Sequence, residues 1–247
     1  MYHSIDFKVE YVSSGVSKVL EYNTFEDFHI VPTSRPVFTM PDVKTKTIEV
    51  PGANGIIDLS EALTGYPVYA NRSGSFKFAV LNDIEDWTEI YSKVANALHG
   101  KKAKAVLEDD PDWYYEGRWS VGSLDSPSNG TWSSIDLAYN VSPFKYSHTE
   151  KTRRLQNTSS TTQMTITLKQ EDIGQAPTRL NVTTNASNLR VKVENLAIGY
   201  TYGKTFPSAG TYDDPGLIMF DPADAGVRVT LMGAAGQADI KFRVGRL

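Results

Sequence analysis

The feature that most constrains this chain is the alternation of apolar and polar residues. A period of two belongs to strands with one buried and one solvated face. Near the start, Ile5, Phe7, Val9 and Tyr11 share one face, and Asp6, Lys8 and Glu10 the other. The period returns at Phe76, Phe78 and Val80, opposed by Ser75 and Lys77. It returns at Tyr115, Trp119 and Val121 against Glu116, Arg118 and Ser120, and at Ile135, Leu137, Tyr139 and Val141 against Asp136 and Asn140. Later it governs Met164/Ile166/Leu168, Leu189/Val191/Val193, Val227/Val229/Leu231 and Ile240/Phe242/Val244, punctuated by turn signals at 185–188, 213–216 and 233–236. A mainly β chain is expected.

One segment departs from that period. Between Asp83 and Gly100 the apolar set Trp87, Ile90, Tyr91, Val94, Ala97 and Leu98 recurs at spacings of three and four, which predicts a helix. Asp83 suits the N-cap, Glu85 and Asp86 the first turn, and Gly100 the position past the end. Burying Trp87, Ile90, Val94 and Leu98 would contribute roughly 6–12 kcal/mol gross, at about 1.5–3 per side chain. A shorter helical turn is predicted at Asp58–Leu63, capped by Asp58 or Ser60. Pro32–Pro51 holds four prolines and the polar, β-branched run KTKTIEV, and reads as an extended arm or edge ribbon rather than a core strand. The polar run SHTEKTRRLQNTSSTTQ, from Ser147, reads as a linker. All four Trp precede residue 133, so two differently built domains are expected, 1–150 and a smaller β-sandwich over 151–247.

Composition then removes function classes. The 247 residues include no Cys, which excludes disulfide scaffolds, cysteine nucleophiles and thiolate metal sites. The formal charge of −4 argues against a chain built around a basic nucleic-acid patch, so no specific nucleic-acid binding is expected. No apolar run approaches the roughly 18 residues of a membrane span, and the start lacks a secretory h-region. A soluble chain without membrane insertion is expected.

Catalytic and metal signatures are absent from the sequence pattern as well. His3, His29, His99 and His148 are isolated, with no H-x-H or H-x-x-x-H pair. The acidic cluster Glu108–Asp112 offers oxygen ligands for a hard cation, but lacks EF-hand spacing and suits a solvated turn. No G-x-S-x-G elbow, P-loop or dinucleotide fingerprint occurs, and no pair of carboxylates stands out for glycoside hydrolysis. No catalytic residue, metal or cofactor is therefore assigned. In GYTYGKTF, Tyr200 and Tyr202 share a strand face, where they serve either as sugar-stacking platforms or as core.

Several segments in order carry a family resemblance. They are VPGANGIIDLSEALTGYPVYANRSGSFKFAV (Val50–Val80), then LHGK (Leu98–Lys101), the acidic turn, YYEGRW (Tyr114–Trp119) and SPFKYS (Ser142–Ser147). In combination they resemble the distal tail protein (Dit) family of long-tailed phages with non-contractile tails, over roughly residues 1–150. The resemblance implies an N-terminal β-sandwich with one α-helix and an extended β arm. It also implies a small C-terminal β-sandwich, galectin-like or carbohydrate-module-like. It further implies a non-enzymatic homo-hexameric ring joining the tail tube to the baseplate, assembled in the host cytoplasm and carried at the virion tail tip. Its partners would be the major tail protein, the tail-associated hub protein and, where present, a receptor-binding protein.

The residues suit such a role on physical grounds. An arm with unpaired strand groups can add to a neighbour's sheet edge, which makes Thr45, Thr47, Ile48 and Val50 candidate subunit contacts. The other reading is a surface loop. Arg118 could anchor a subunit contact through a bidentate pair, or serve as an ordinary strand charge. The competing functional readings are a carbohydrate-binding module using Tyr200 and Tyr202, and a hydrolase using scattered carboxylates.

Overall fold

The computed structural model describes residues 2–13, 15–52, 54–81, 86–126 and 132–247. In chain order the elements begin β1 (Ile5–Ser13), β2 (Val16–Asn23), β3 (Ile30–Pro32), β4 (Thr47–Glu49), β5 (Ile56–Asp58), β6 (Arg72–Val80) and α1 (Trp87–Leu98). Next come β7 (Lys102–Leu107), β8 (Trp113–Asp125), β9 (Ser134–Val141), β10 (Lys145–Asn157), β11 (Gln163–Leu168) and α2 (Gln170–Ile173). The last are β12 (Thr178–Thr184), β13 (Leu189–Asn195), β14 (Tyr200–Phe206), β15 (Gly210–Met219), β16 (Val227–Met232) and β17 (Gly236–Arg246). The chain is thus mainly β. It forms two compact units, one of residues 1–43 and 69–145, the other of 44–68 and 146–247.

In the first unit, antiparallel pairing runs in the order β2, β1, β7, β8, β9, β6, β3. The alternating residues Ile5, Phe7, Val9, Phe76, Phe78, Trp119, Ile135 and Leu137 point into one apolar core, which Trp87, Ile90, Val94 and Leu98 of α1 also join. Aromatic rings fill its centre, with Phe7 edge-on to the fully buried Trp119 at 4.7 Å. Helix α1 ends as its sequence predicts. Gly100, just beyond, takes φ +72°, a left-handed value that suits a residue without Cβ. The helix begins at Trp87. The expected cap Asp83 and the first-turn Glu85 lie outside the described residues.

In the second unit, one sheet runs β15, β12, β17, β10 and another β11, β16, β13, β14. Leu155, Leu180, Val182, Ile240 and Phe242 of the first sheet share an apolar cluster with Leu168, Val191, Val193, Phe206 and Val229 of the second. Two buried polar side chains of this unit are hydrogen-bonded to its backbone. The Asp221 carboxylate, fully buried, accepts the N–H groups of Ala225 and Gly226 at 2.9 and 2.8 Å. The Asn195 side chain donates to Ile218 O and accepts from Phe220 N–H, each at 2.9 Å.

Three local expectations change. The polar run read as a linker is largely the long strand β10, whose one fully buried apolar residue is Leu155. Its polarity reflects solvated faces held by cross-strand ion pairs, such as Arg154 to Asp239 at 2.7 Å. The helical turn expected at Asp58–Leu63 is a hydrogen-bonded turn instead, with Asp58 accepting the Ser60 N–H and hydroxyl. Finally, Pro32–Pro51 is not uniformly an arm. Phe38 packs into the first unit's core and is 5% exposed.

Candidate assembly surface

Residues 44–68 fold back on themselves. In IEVPGANGIID, apolar pairs flank a Pro-Gly and Asn-Gly turn, a strong short-range hairpin signal. The ladder pairs Thr47 with Asp58, Ile48 with Ile57 and Glu49 with Ile56. It is extended by Leu59 N–H to Lys46 O at 2.8 Å and Lys44 N–H to Val68 O at 2.7 Å. Thr45, Thr47, Ile48 and Val50 therefore lie on a self-paired ribbon, and among the described residues no strand pairs with the other edge of β4.

The two faces of this ribbon differ. Directly opposed residues share a face and alternate residues return to it. Ile48 and Ile57 thus stand together, flanked by Val50 and Leu59, while Thr45, Thr47, Glu49 and Asp58 stand on the other side with Ile56. Every residue of both strands is exposed. Ile48 is 45% exposed, Ile57 51% and Leu63, beyond the ribbon, fully so. A two-stranded ribbon has no core of its own, so this apolar face is left exposed. Ile48 and Val50 stand out in the sequence, whereas their cross-strand neighbours Ile57 and Leu59 emerge from the register. The Asn-Gly turn was the signal that could have supplied them.

Arg118 lies on the exposed face of β8, opposite Lys102 and Asn140 in register. Its guanidinium donates to Gly100 O, just past the end of α1, a favourable place for a cation. Lys102 takes the neighbouring Glu116. The acidic turn is knitted into the same unit. Glu108 accepts the Ser4 N–H at 2.8 Å, and Asp110 pairs with Lys145 at 2.6 Å. Asp109 accepts from His3 and Arg35 at 2.9 and 2.8 Å. Partial burial alone would raise the Asp109 pKa, but these two donors outweigh it and hold it below the usual carboxylate value. Among the described residues, no three His, Asp or Glu side chains come together to hold a metal ion.

Tyr200 and Tyr202 sit on β14, the first exposed and the second half-buried against the second unit's core. The Tyr200 hydroxyl donates to Gly216 O at 2.9 Å. The ring of Tyr202 covers Gly216 so closely that a Cβ there would stand 2.5 Å from it. Its hydroxyl bonds Asp214, which raises the tyrosine's pKa. Asp214 is held low chiefly by the Gly216 N–H, with Tyr202 and Lys204 adding to it. Both tyrosines thus lock β14 onto β15.

No family model matches this chain, and no curated protein matches it in sequence. Nine chains among solved structures match. One is the crystal structure of the SPP1 Dit protein (gp 19.1), described as a paradigm of the hub adsorption apparatus in phages that infect Gram-positive bacteria. It is similar over 98% of this chain and 99% of that one, with a TM-score of 0.62 and 13% identity. At that identity the likeness is one of fold.

Proposed function

We propose that this chain is a non-enzymatic structural protein of a phage or prophage tail, of the distal tail type. On this reading six copies form a ring between the tail tube and the baseplate. Each unit is a β-sandwich. The observation that carries the reading is the SPP1 Dit likeness, which spans almost the full length of both chains rather than one module. The exposed apolar face of the β4–β5 ribbon supports it independently, since a chain that stayed alone would gain nothing from it.

The partners follow from that place. The major tail protein lies on one side of the ring and the tail-associated hub protein on the other, with any receptor-binding protein at its periphery. Assembly takes place in the host cytoplasm, and the finished protein resides at the virion tail tip. Thr45, Thr47, Ile48 and Val50 serve the subunit contact, with the free edge of β4 available for strand addition. Light scattering on the purified chain tests this. The expected particle has six times the 27.3 kDa chain mass, and a monomer at every concentration would count against the ring.

A further inference from the structure

The turn that closes the β4–β5 ribbon sets Asn54 directly before Gly55, both exposed. Gly55 takes φ +81°, and the space where a Cβ would stand is open out to 4 Å. Among the described residues no hydrogen bond holds the Asn54 carboxamide or the Gly55 N–H. Other asparagines are tied down. The Asn23 side-chain oxygen accepts the Phe25 and Glu26 N–H groups at 2.8 and 3.0 Å, and that of Asn185 accepts the Gln237 N–H at 2.7 Å. Asn71 donates to the Asn140 side-chain oxygen at 2.7 Å, and Asn157 and Asn195 are buried and bonded to backbone. A second Asn-Gly pair, Asn129–Gly130, lies outside the described residues.

We propose that Asn54 is a self-modification site, converting without an enzyme to aspartate and isoaspartate. The Gly55 amide nitrogen gives up its proton to hydroxide and attacks Cγ of Asn54. The new N–Cγ bond closes a succinimide ring, the bond from Cγ to the side-chain nitrogen breaks, and that nitrogen leaves as ammonia with a proton from water. Water then opens the ring. Attack at Cγ restores the main chain as aspartate, while attack at the main-chain carbonyl leaves isoaspartate, with the chain running through Cγ. The balance is one water in and one ammonia out, with no oxidation or reduction. Glycine favours the step because a Cβ beside the attacking nitrogen would crowd it. Either product puts a carboxylate on a stretch, residues 47–63, that already carries Glu49, Asp58 and Glu61 and no Lys, Arg or His. Isoaspartate also adds a backbone carbon to the turn, which the adjoining Glu49–Ile56 pair must absorb. The ribbon thus acts as a one-way clock, more acidic in old chains than in new ones.

Trypsin releases residues 47–72 as one peptide, in which Asn71 is an internal control for Asn54. The folded full-length chain is incubated in mildly alkaline buffer, digested, and read by tandem mass spectrometry against an unincubated sample. The same chain held unfolded in urea runs beside it. The expected result is a gain of about 1 Da at Asn54, the amide exchanged for a carboxyl, severalfold faster than at Asn71 and split between two isomers separable by chromatography. Asn54→Gln, whose longer side chain does not close the same ring, abolishes the gain. Asn54 intact in the folded chain, whether or not it converts in urea, would overturn the proposal. Conversion at Asn71 as fast as at Asn54 would overturn it too.

Discussion

Truncating Phe38 to Ala tests how the segment preceding the ribbon is fastened. Phe38 belongs to no strand, yet it is 5% exposed. Its ring stacks on Tyr115 at 4.0 Å and meets Tyr139 at 4.8 Å, Phe76 at 5.1 Å and Trp119 at 6.1 Å. Those four rings sit on three strands whose ladders fix them, so the hole left by Ala has little room to collapse. Phe→Ala in such a core costs about 3–5 kcal/mol, and the upper half of that range is expected. All four Trp (87, 113, 119 and 132) belong to the first unit, so their fluorescence reports on that unit alone. With a urea slope of about 2 kcal/mol per molar, a loss of about 4 kcal/mol moves the midpoint down by about 2 M. Phe38→Leu, which keeps most of the volume, moves it far less. A shift under about 0.5 M for Phe38→Ala would refute the claim that this ring anchors the segment.

Ile48→Asp and Ile57→Asp change exposed side chains, so each alters unfolding stability by no more than about 0.5 kcal/mol. Both nonetheless reduce the particle mass toward one chain by light scattering. Gly117→Ala brings a Cβ to 2.2 Å from Asn140 O across the β8–β9 ladder, and destabilises the first unit by about 1–3 kcal/mol or more, read by Trp fluorescence. The Asp239 pKa is lowered chiefly by its hydrogen bonds from Arg154. Its stabilising effect is therefore present above the unfolded Asp value of about 3.9 and is lost as pH falls through the lower folded value. Asp239→Asn should consequently weaken the second unit at pH 7, by an amount that shrinks as pH falls below the unfolded Asp value of about 3.9, as measured by circular dichroism in urea. Tyr202→Ala uncovers Gly216 and lowers that unit's midpoint, whereas Tyr202→Phe retains most of it.

Alternation made much of the fold readable. Ile5, Phe7, Val9, Phe76, Phe78, Ile135 and Leu137 are all buried on the faces their spacing predicts, and so are Trp87, Ile90, Val94 and Leu98 on α1. The same signal overreached at Tyr11, because spacing records which way a side chain points and not whether anything covers it. Strand β10 was illegible because its side chains are mostly polar and paired with charges distant in sequence, such as Arg154 with Asp239. Phe38 was hidden among prolines, in a stretch without periodicity, where a tertiary contact alone decides burial. The ribbon was half legible. Its prolines marked an extended arm, but its self-pairing lay in the turn, and the uneven distribution of Ile48 and Ile57 against Thr47 and Asp58 emerges only from the register.

The central claim is that this chain sits at the tip of a phage tail. Electron microscopy of intact particles from the strain that encodes it, labelled with gold-bearing antibody against the chain, tests that most directly. The account predicts label at the end of the tail remote from the capsid, and nowhere along the tube. Label absent from particles, or confined to the capsid or the tube, would contradict it.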